Sequence, residues 1–193
     1  MPVSSRNLKA VVLTSSLALI AAAACLFLPK HVLAAGDLAT VGASAPNFTL
    51  PNQENQPVSL NDYKGKWVVL YFYPKDQTSG CSMEAHNFQR DLPKYEAANA
   101  VVLGVSLDTV ESHKTWCTKD GFSFKMLADP DHKVVDLYGV PVKTFTTPAG
   151  PMTIAMRDTF LISPDGKIVK VWEKVDPSVH SADVLAEIAA NKK

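Results

Sequence analysis

Residues 72–86 read FYPKDQTSGCSMEAH and hold one cysteine, Cys81, directly behind a hydroxyl- and glycine-containing turn. A thiol placed there has the makings of a nucleophile. The first N–H groups of a helix have no intrahelical partner and carry partial positive charge, so an anion is stabilised beside them. The thiolate, not the thiol, is the attacking species, and a helix start is where a cysteine becomes reactive. The plainer alternative is a cysteine that only caps the helix, but inert cysteines tend to sit in mid-element. Thr78 can aim its hydroxyl back at the thiolate or at whatever the thiolate attacks; taken alone it reads equally well as an N-cap. Pro74 can shield the site from bulk water; taken alone it reads as a strand stopper. Together the three residues form the pattern Pro-x-x-x-Thr-x-x-Cys.

The flanking sequence predicts the elements that position this turn. WVVLYFY (67–73) is a continuous β-branched and aromatic run ending at Pro74, the signature of a strand buried on both faces. A helix should begin near Cys81, with Ala85, Phe88, Leu92 and Tyr95 at helical spacing, and Pro93 should kink or restart it. VVLGVSL (101–107) reads as a second buried strand, so strand, helix and strand make a βαβ unit and a parallel pair. Asp108 to Glu111 resembles a capping box opening a helix that runs to about Gly121. FKMLAD suggests a third strand, and DHKVVDLYGV a short helix stopped at Gly139. NFTL and PVSL flank the turn formers PNQENQ as a short hairpin. KTFTT and RDTFLIS straddle the turn-rich insert PAGP. RDTFLIS and KIVKVW enclose PDG, a type I turn with Pro164 second and Gly166 fourth. SADVLAEIAANKK closes the chain as an amphipathic helix. A parallel half followed by an antiparallel half gives an α/β, thioredoxin-like fold with a mixed central sheet flanked by helices.

The chain of 193 residues is 47% hydrophobic, which suits one globular domain plus an extra segment. Nineteen basic residues balance nineteen acidic ones and no Lys/Arg-rich block occurs, which argues against a nucleic-acid partner. Three cysteines are too few for a disulfide-stapled mini-domain. The extra segment is N-terminal. Arg6 and Lys9 precede the apolar run AVVLTSSLALIAAAACLFL (10–28), and Val32 and Ala34 fit a cleavage site after Ala34. Residues 1–34 therefore read as an export signal. The run is also close to the ~20 residues that span a bilayer, so an uncleaved membrane tether through 10–28 is the alternative. Ala22 stands where a lipoprotein site at Cys25 would want leucine, which weighs against lipidation. Residues 35–46 read as a linker and 47–193 as the domain. Removal of the signal would leave two thiols, Cys81 and Cys117, which an exported protein could pair or leave free.

PKDQTSGC resembles the active-site motif of peroxiredoxins, P-x-x-x-(T/S)-x-x-C. YFYPKDQTSGCSMEA, GVSLDTVESHKTW, LADPDHKVVDLYGV and RDTFLISPDGKIVKVW look most like the bacterioferritin-comigratory or peroxiredoxin Q subfamily, and the likeness spans roughly residues 40–190. The resemblance implies a thiol peroxidase acting on hydrogen peroxide and organic hydroperoxides, with no cofactor and no metal. By it, Cys81 is the peroxidatic cysteine, which becomes a sulfenic acid. Thr78 and the Cys81 N–H hold the peroxide, Pro74 belongs to the motif, and Arg157 completes the site. A guanidinium there would favour the thiolate and stabilise charge on the leaving oxygen. Without the resemblance Arg157 would read as a surface strand residue paired with Asp158. Glu84 matches a frequent family acid and reads as support for the helix start.

Many members of the subfamily carry a second cysteine five residues after the first, and here that residue is His86. Cys117 is the remaining candidate for resolving the sulfenic acid, and other members resemble this arrangement. The alternative is packing, since Val110 and Cys117 are seven apart on one helical face. Resolution would need Cα atoms roughly 4.4–6.8 Å apart, hence local unwinding of one or both helices. The resemblance also implies a thioredoxin-like reductant and a monomer, and the N-terminal segment implies export to the periplasm or a lumen, or anchoring that faces that compartment. Two other readings compete. An exported disulfide reductase needs Cys-x-x-Cys, but Glu84 occupies the second cysteine position. A copper-delivery protein could use Cys81, Met83 and His86 as soft ligands, but lacks a second nearby cysteine.

Overall fold

The computed structural model describes Met1 and residues 38–192; the export signal or tether and Cys25 lie outside the described residues. Its centre is a five-stranded mixed sheet built from β3 (Trp67–Phe72), β4 (Ala100–Ser106), β5 (Lys125–Ala128), β8 (Thr159–Ile162) and β9 (Ile168–Trp172), in the order β5-β4-β3-β8-β9. β3, β4 and β5 run parallel, β8 pairs antiparallel with β3, and β9 pairs antiparallel with β8. The helices are α1 (Ser79–Ala97), α2 (Val110–Asp120), α3 (Lys133–Leu137) and α4 (His180–Asn191). This is the thioredoxin-like α/β arrangement the sequence predicts. Among the described residues, no helix is long and apolar enough to cross a membrane.

β3 is buried along its whole length, and its period-2 alternation divides the core in two. Val68, Leu70 and Phe72 face a layer with Val134, Val135 and Tyr138 at α3. Trp67, Val69, Tyr71 and Tyr73 face the layer of α1, α2 and α4, which holds both Cys81 and Cys117. The short hairpin of β1 (Thr49–Pro51) and β2 (Pro57–Ser59) packs its Leu50 and Val58 into the α3 layer. Gly104 on β4 lies opposite Tyr71, and a Cβ there would sit 2.8 Å from the Tyr71 ring. Tyr71 is locked between Tyr73 and Phe88, at ring separations of 5.4 and 4.8 Å, so it cannot yield easily. Gly104→Ala is expected to cost about 1–3 kcal/mol of stability in chemical denaturation.

The structure departs from the sequence reading in four places. The strand across the PAGP insert from KTFTT is GPMTIA rather than RDTFLIS. β6 (Val142–Thr147) and β7 (Gly150–Ala155) form a separate antiparallel hairpin, mostly exposed on β6. Thr147 turns its hydroxyl to the Gly150 carbonyl at 2.7 Å and closes that hairpin. Pro93 does not end α1. Beyond it Tyr95 is fully buried and donates to the Ser181 carbonyl at 2.8 Å, which holds the last turn in place. The cap of α2 is Thr109, whose hydroxyl accepts from Ser112 N, while Asp108 serves the neighbouring turn instead. The stretch before the domain is not free over 38–46: Ala39 is buried, Ala39 N donates to Tyr138 O, and Gly42 N and Ala45 N donate to Ile168 O and Gly166 O.

Candidate active site

β3 delivers the chain to Pro74, and α1 begins at Ser79, so the motif turn spans the strand-to-helix junction. The first intrahelical bond of α1 runs from Ser82 N to Thr78 O at 2.8 Å. The N–H groups of Ser79, Gly80 and Cys81 therefore precede the ladder and form the positive end of the helix. Cys81 sits in that turn with 1% of its surface exposed. Arg157, just before β8, donates from Nη2 to Cys81 Sγ at 3.1 Å. Its backbone is held because its carbonyl accepts from Val175 N at 3.1 Å and the next carbonyl, Asp158 O, accepts from Phe72 N at 2.8 Å. Gly80 leaves room for the guanidinium: a Cβ there would lie 3.4 Å from Nη2. Thus β3, α1 and the segment before β8 bring Cys81 and Arg157 together.

Arg157 Nη1 also donates to Glu84 Oε2, while Asp158, the partner considered from sequence, accepts from Lys174 N at 3.0 Å instead. Glu84 is fully buried and its Oε1 has no partner among the described residues, so it holds the guanidinium through Oε2 rather than merely supporting the helix start. Burial pushes its carboxyl up to about 7, against the opposing pull of Arg157. For Arg157, burial opposes the charge, but Glu84 and Cys81 outweigh it and hold the cation. Since the folded state raises Glu84 above its ordinary 4.5, the stability it contributes is complete below that value and lost as pH rises through about 7. Glu84→Gln is therefore expected to narrow the fall in denaturation midpoint between pH 5 and pH 8.

Thr78 occupies the N-cap position without capping; its hydroxyl donates to Lys75 O at 3.0 Å. With its hydrogen used there, its oxygen is free to accept. Pro74 is half-buried between β3 and this turn. Cys117 lies on the inner side of α2, a free thiol like Cys81. Burial first, then the negative charge of Asp76, Glu54 and Asp120, push its thiol up to about 12. His86 is exposed, lies 3.6 Å from Asp120 and meets Phe122 edge-on, and Met83 is exposed, so these two do not converge with Cys81 as copper ligands would.

Sequence reasoning missed the polar cluster under the turn. Asp76, inside the motif, accepts from Tyr73 Oη at 2.7 Å, Ser112 Oγ at 2.6 Å and His113 Nδ1 at 2.8 Å. Asp108 accepts from Lys75 Nζ at 2.8 Å and from Asp76 N at 2.9 Å. The inward spacing of His113, Trp116 and Cys117 on one helix face was the available signal.

Residues 41–171 match the model of the AhpC/TSA family. Peroxiredoxin Bcp of Bacillus subtilis is 38% identical over 145 residues, covering 75% of this chain and 92% of that protein. The solved structure of a Cys-to-Ser mutant of Xylella fastidiosa PrxQ matches with a TM-score of 0.74 at 36% identity, covering 82% of this chain and 100% of that one. A Xanthomonas campestris bacterioferritin comigratory protein, solved to give insight into its alkyl peroxide reduction activity, matches with a TM-score of 0.69 at 36% identity, over 76% of this chain and 92% of that one.

Proposed function

The chain belongs to the AhpC/TSA family, in its Bcp/peroxiredoxin Q branch, and from that premise we propose how its two domain thiols carry out the peroxidase reaction. It is a thiol peroxidase. Cys81 is the peroxidatic residue, and the observation that carries this is the 3.1 Å approach of the Arg157 guanidinium to its sulfur at the open end of α1. The Cys81 thiolate attacks the terminal oxygen of ROOH. The O–O bond breaks, Cys81 becomes a sulfenic acid, and RO⁻ leaves and takes a proton from solvent. Arg157 stabilises the charge growing on the leaving oxygen, because the guanidinium is aimed at the reacting sulfur beforehand. Thr78 Oγ1 accepts from the peroxide O–H, the Cys81 N–H donates to a peroxide oxygen, and Pro74 helps exclude water. Substrates are hydrogen peroxide and organic hydroperoxides; the alkyl peroxide reduction described for the Xanthomonas relative supports the second class.

Cys117 then resolves the sulfenic acid by forming an intramolecular disulfide, and a thioredoxin-like dithiol donor reduces it. Both cysteines belong to one core layer, Cys81 from α1 and Cys117 from α2. The protein works as a monomer outside the cytosol, carried there by residues 1–34, which are either removed after Ala34 or kept as a tether through 10–28. Treating the reduced full chain with one equivalent of hydrogen peroxide, blocking free thiols and mapping peptides tests the scheme. A Cys81–Cys117 link is expected, reversible by a thioredoxin-type donor. A sulfenic acid at Cys81 that never gives that link would remove Cys117 from the scheme; no oxidation at Cys81 would remove the scheme itself.

A further inference from the structure

His113 is fully buried on α2, and among the described residues its Nε2 has no hydrogen-bond partner. A buried polar atom left unpaired asks for a reason. Its other nitrogen faces Asp76 Oδ2 at 2.8 Å. Burial opposes charge on Asp76, but its bonds from His113, Ser112 and Tyr73 outweigh burial and hold the carboxyl below its ordinary value. An ionised carboxylate only accepts, so Nδ1 carries a proton, and Nε2 is the ring nitrogen left without a partner among the described residues. Cys117 lies four residues on, one turn along the same inward face of α2. An acid anchors an imidazole, and four residues on along the same helix stands a thiol that, as the resolving residue, has to lose a proton.

We propose that His113, held by Asp76, is the general base that deprotonates Cys117 when it attacks the Cys81 sulfenic acid. This rests on Cys117 being the resolving thiol. Nε2 takes the proton from Cys117 Sγ, and the thiolate attacks Cys81 Sγ. The S–S bond forms as the S–O bond breaks, and the departing hydroxide takes the proton from Nε2 and leaves as water. Cys81 sulfur is reduced and Cys117 sulfur oxidised, with no outside reagent. The first turn of α2 stays pinned to the motif turn through Ser112 and His113, while the turn carrying Cys117 loosens toward Cys81.

The test separates the two chemical steps in the full chain by rapid mixing with hydrogen peroxide, acid quench and mass analysis. In His113→Ala, sulfenic acid formation is expected to stay within about threefold of the parent, and disulfide formation to slow at least about tenfold. Substituted imidazoles added to the variant should restore the second step in proportion to their basicity, which a purely structural cross-link would not do. Unchanged disulfide formation, or restoration that follows the size of the added base instead, overturns the proposal. A second measurement needs no variant: the parent's disulfide step should slow at least about twofold in heavy water. A ratio near one overturns the base role. A parent that forms no Cys81–Cys117 link at all overturns the resolution scheme instead.

Discussion

Cys81→Ser is expected to stop peroxide consumption altogether, with residual peroxide after mixing equal to that of a protein-free control. The serine hydroxyl fills nearly the same space in the first turn of α1, so the fold has no reason to change. It lacks the polarisable sulfur nucleophile on which the attack depends. Arg157→Ala makes the complementary case. Removing one preorganised donor from a developing anion costs about 10²–10³ in rate, and kcat/KM for hydrogen peroxide should fall by about that factor. Arg157→Lys should recover only part of it, because a point charge cannot reach Cys81 Sγ and Glu84 Oε2 together as the planar fork does. A fall in rate with an unchanged thermal midpoint assigns the loss to chemistry. In Arg157→Ala the carboxyl of Glu84, already pushed up to about 7 by burial, keeps its proton more readily once the cation is gone. That protonation limits the penalty of leaving it unpaired, so the rate should suffer more than the fold.

The place of Cys81 at the strand-to-helix junction was legible because it rests on local rules. A buried strand, a proline and a turn that opens a helix are all short-range features, and they fix where Cys81 stands. Arg157 was not legible that way. It is 76 positions from Cys81, and only the antiparallel return of β8 beside β3 brings them together. Nothing in the run RDTF distinguishes a residue aimed at a thiolate from a surface arginine, so the resemblance carried that assignment. The Asp76 cluster escaped for a related reason. Asp76 lies in the motif turn and His113 on a helix 37 positions away, and each reads singly as a polar surface residue. The hairpin of β6 and β7 escaped because GPMTIA begins with glycine and proline, which suppress a strand reading, although the register pairs all six of its residues. Element types followed from periodicity, whereas partnerships depended on long-range packing.

Cys117→Ser should consume about one equivalent of peroxide rapidly and then stop cycling, even with excess thioredoxin-type donor present, with only slow overoxidation of Cys81 consuming more. The first step needs only the end of α1 and Arg157, and neither touches Cys117. The second step needs a sulfur that now is missing, so Cys81 should accumulate as sulfenic acid and pass on to sulfinic acid under further peroxide. Intact mass should rise by one oxygen and then two, where the parent loses two hydrogens. Peptide mapping keeps the outcome free of Cys25, which lies outside the described residues. Cys117→Ala guards against a fold effect, since a serine hydroxyl placed in this apolar layer would itself need a partner. In the closed state the Cys117 thiol, pushed up to about 12, cannot compete for the sulfenic acid. Under the proposed resolution the second half of α2 opens in each cycle, and the parent's disulfide step is expected to slow when α2 is stabilised while its peroxide step does not. If Cys117→Ser instead cycles at the parent rate, an external thiol reaches Cys81 directly and α2 has no part in turnover.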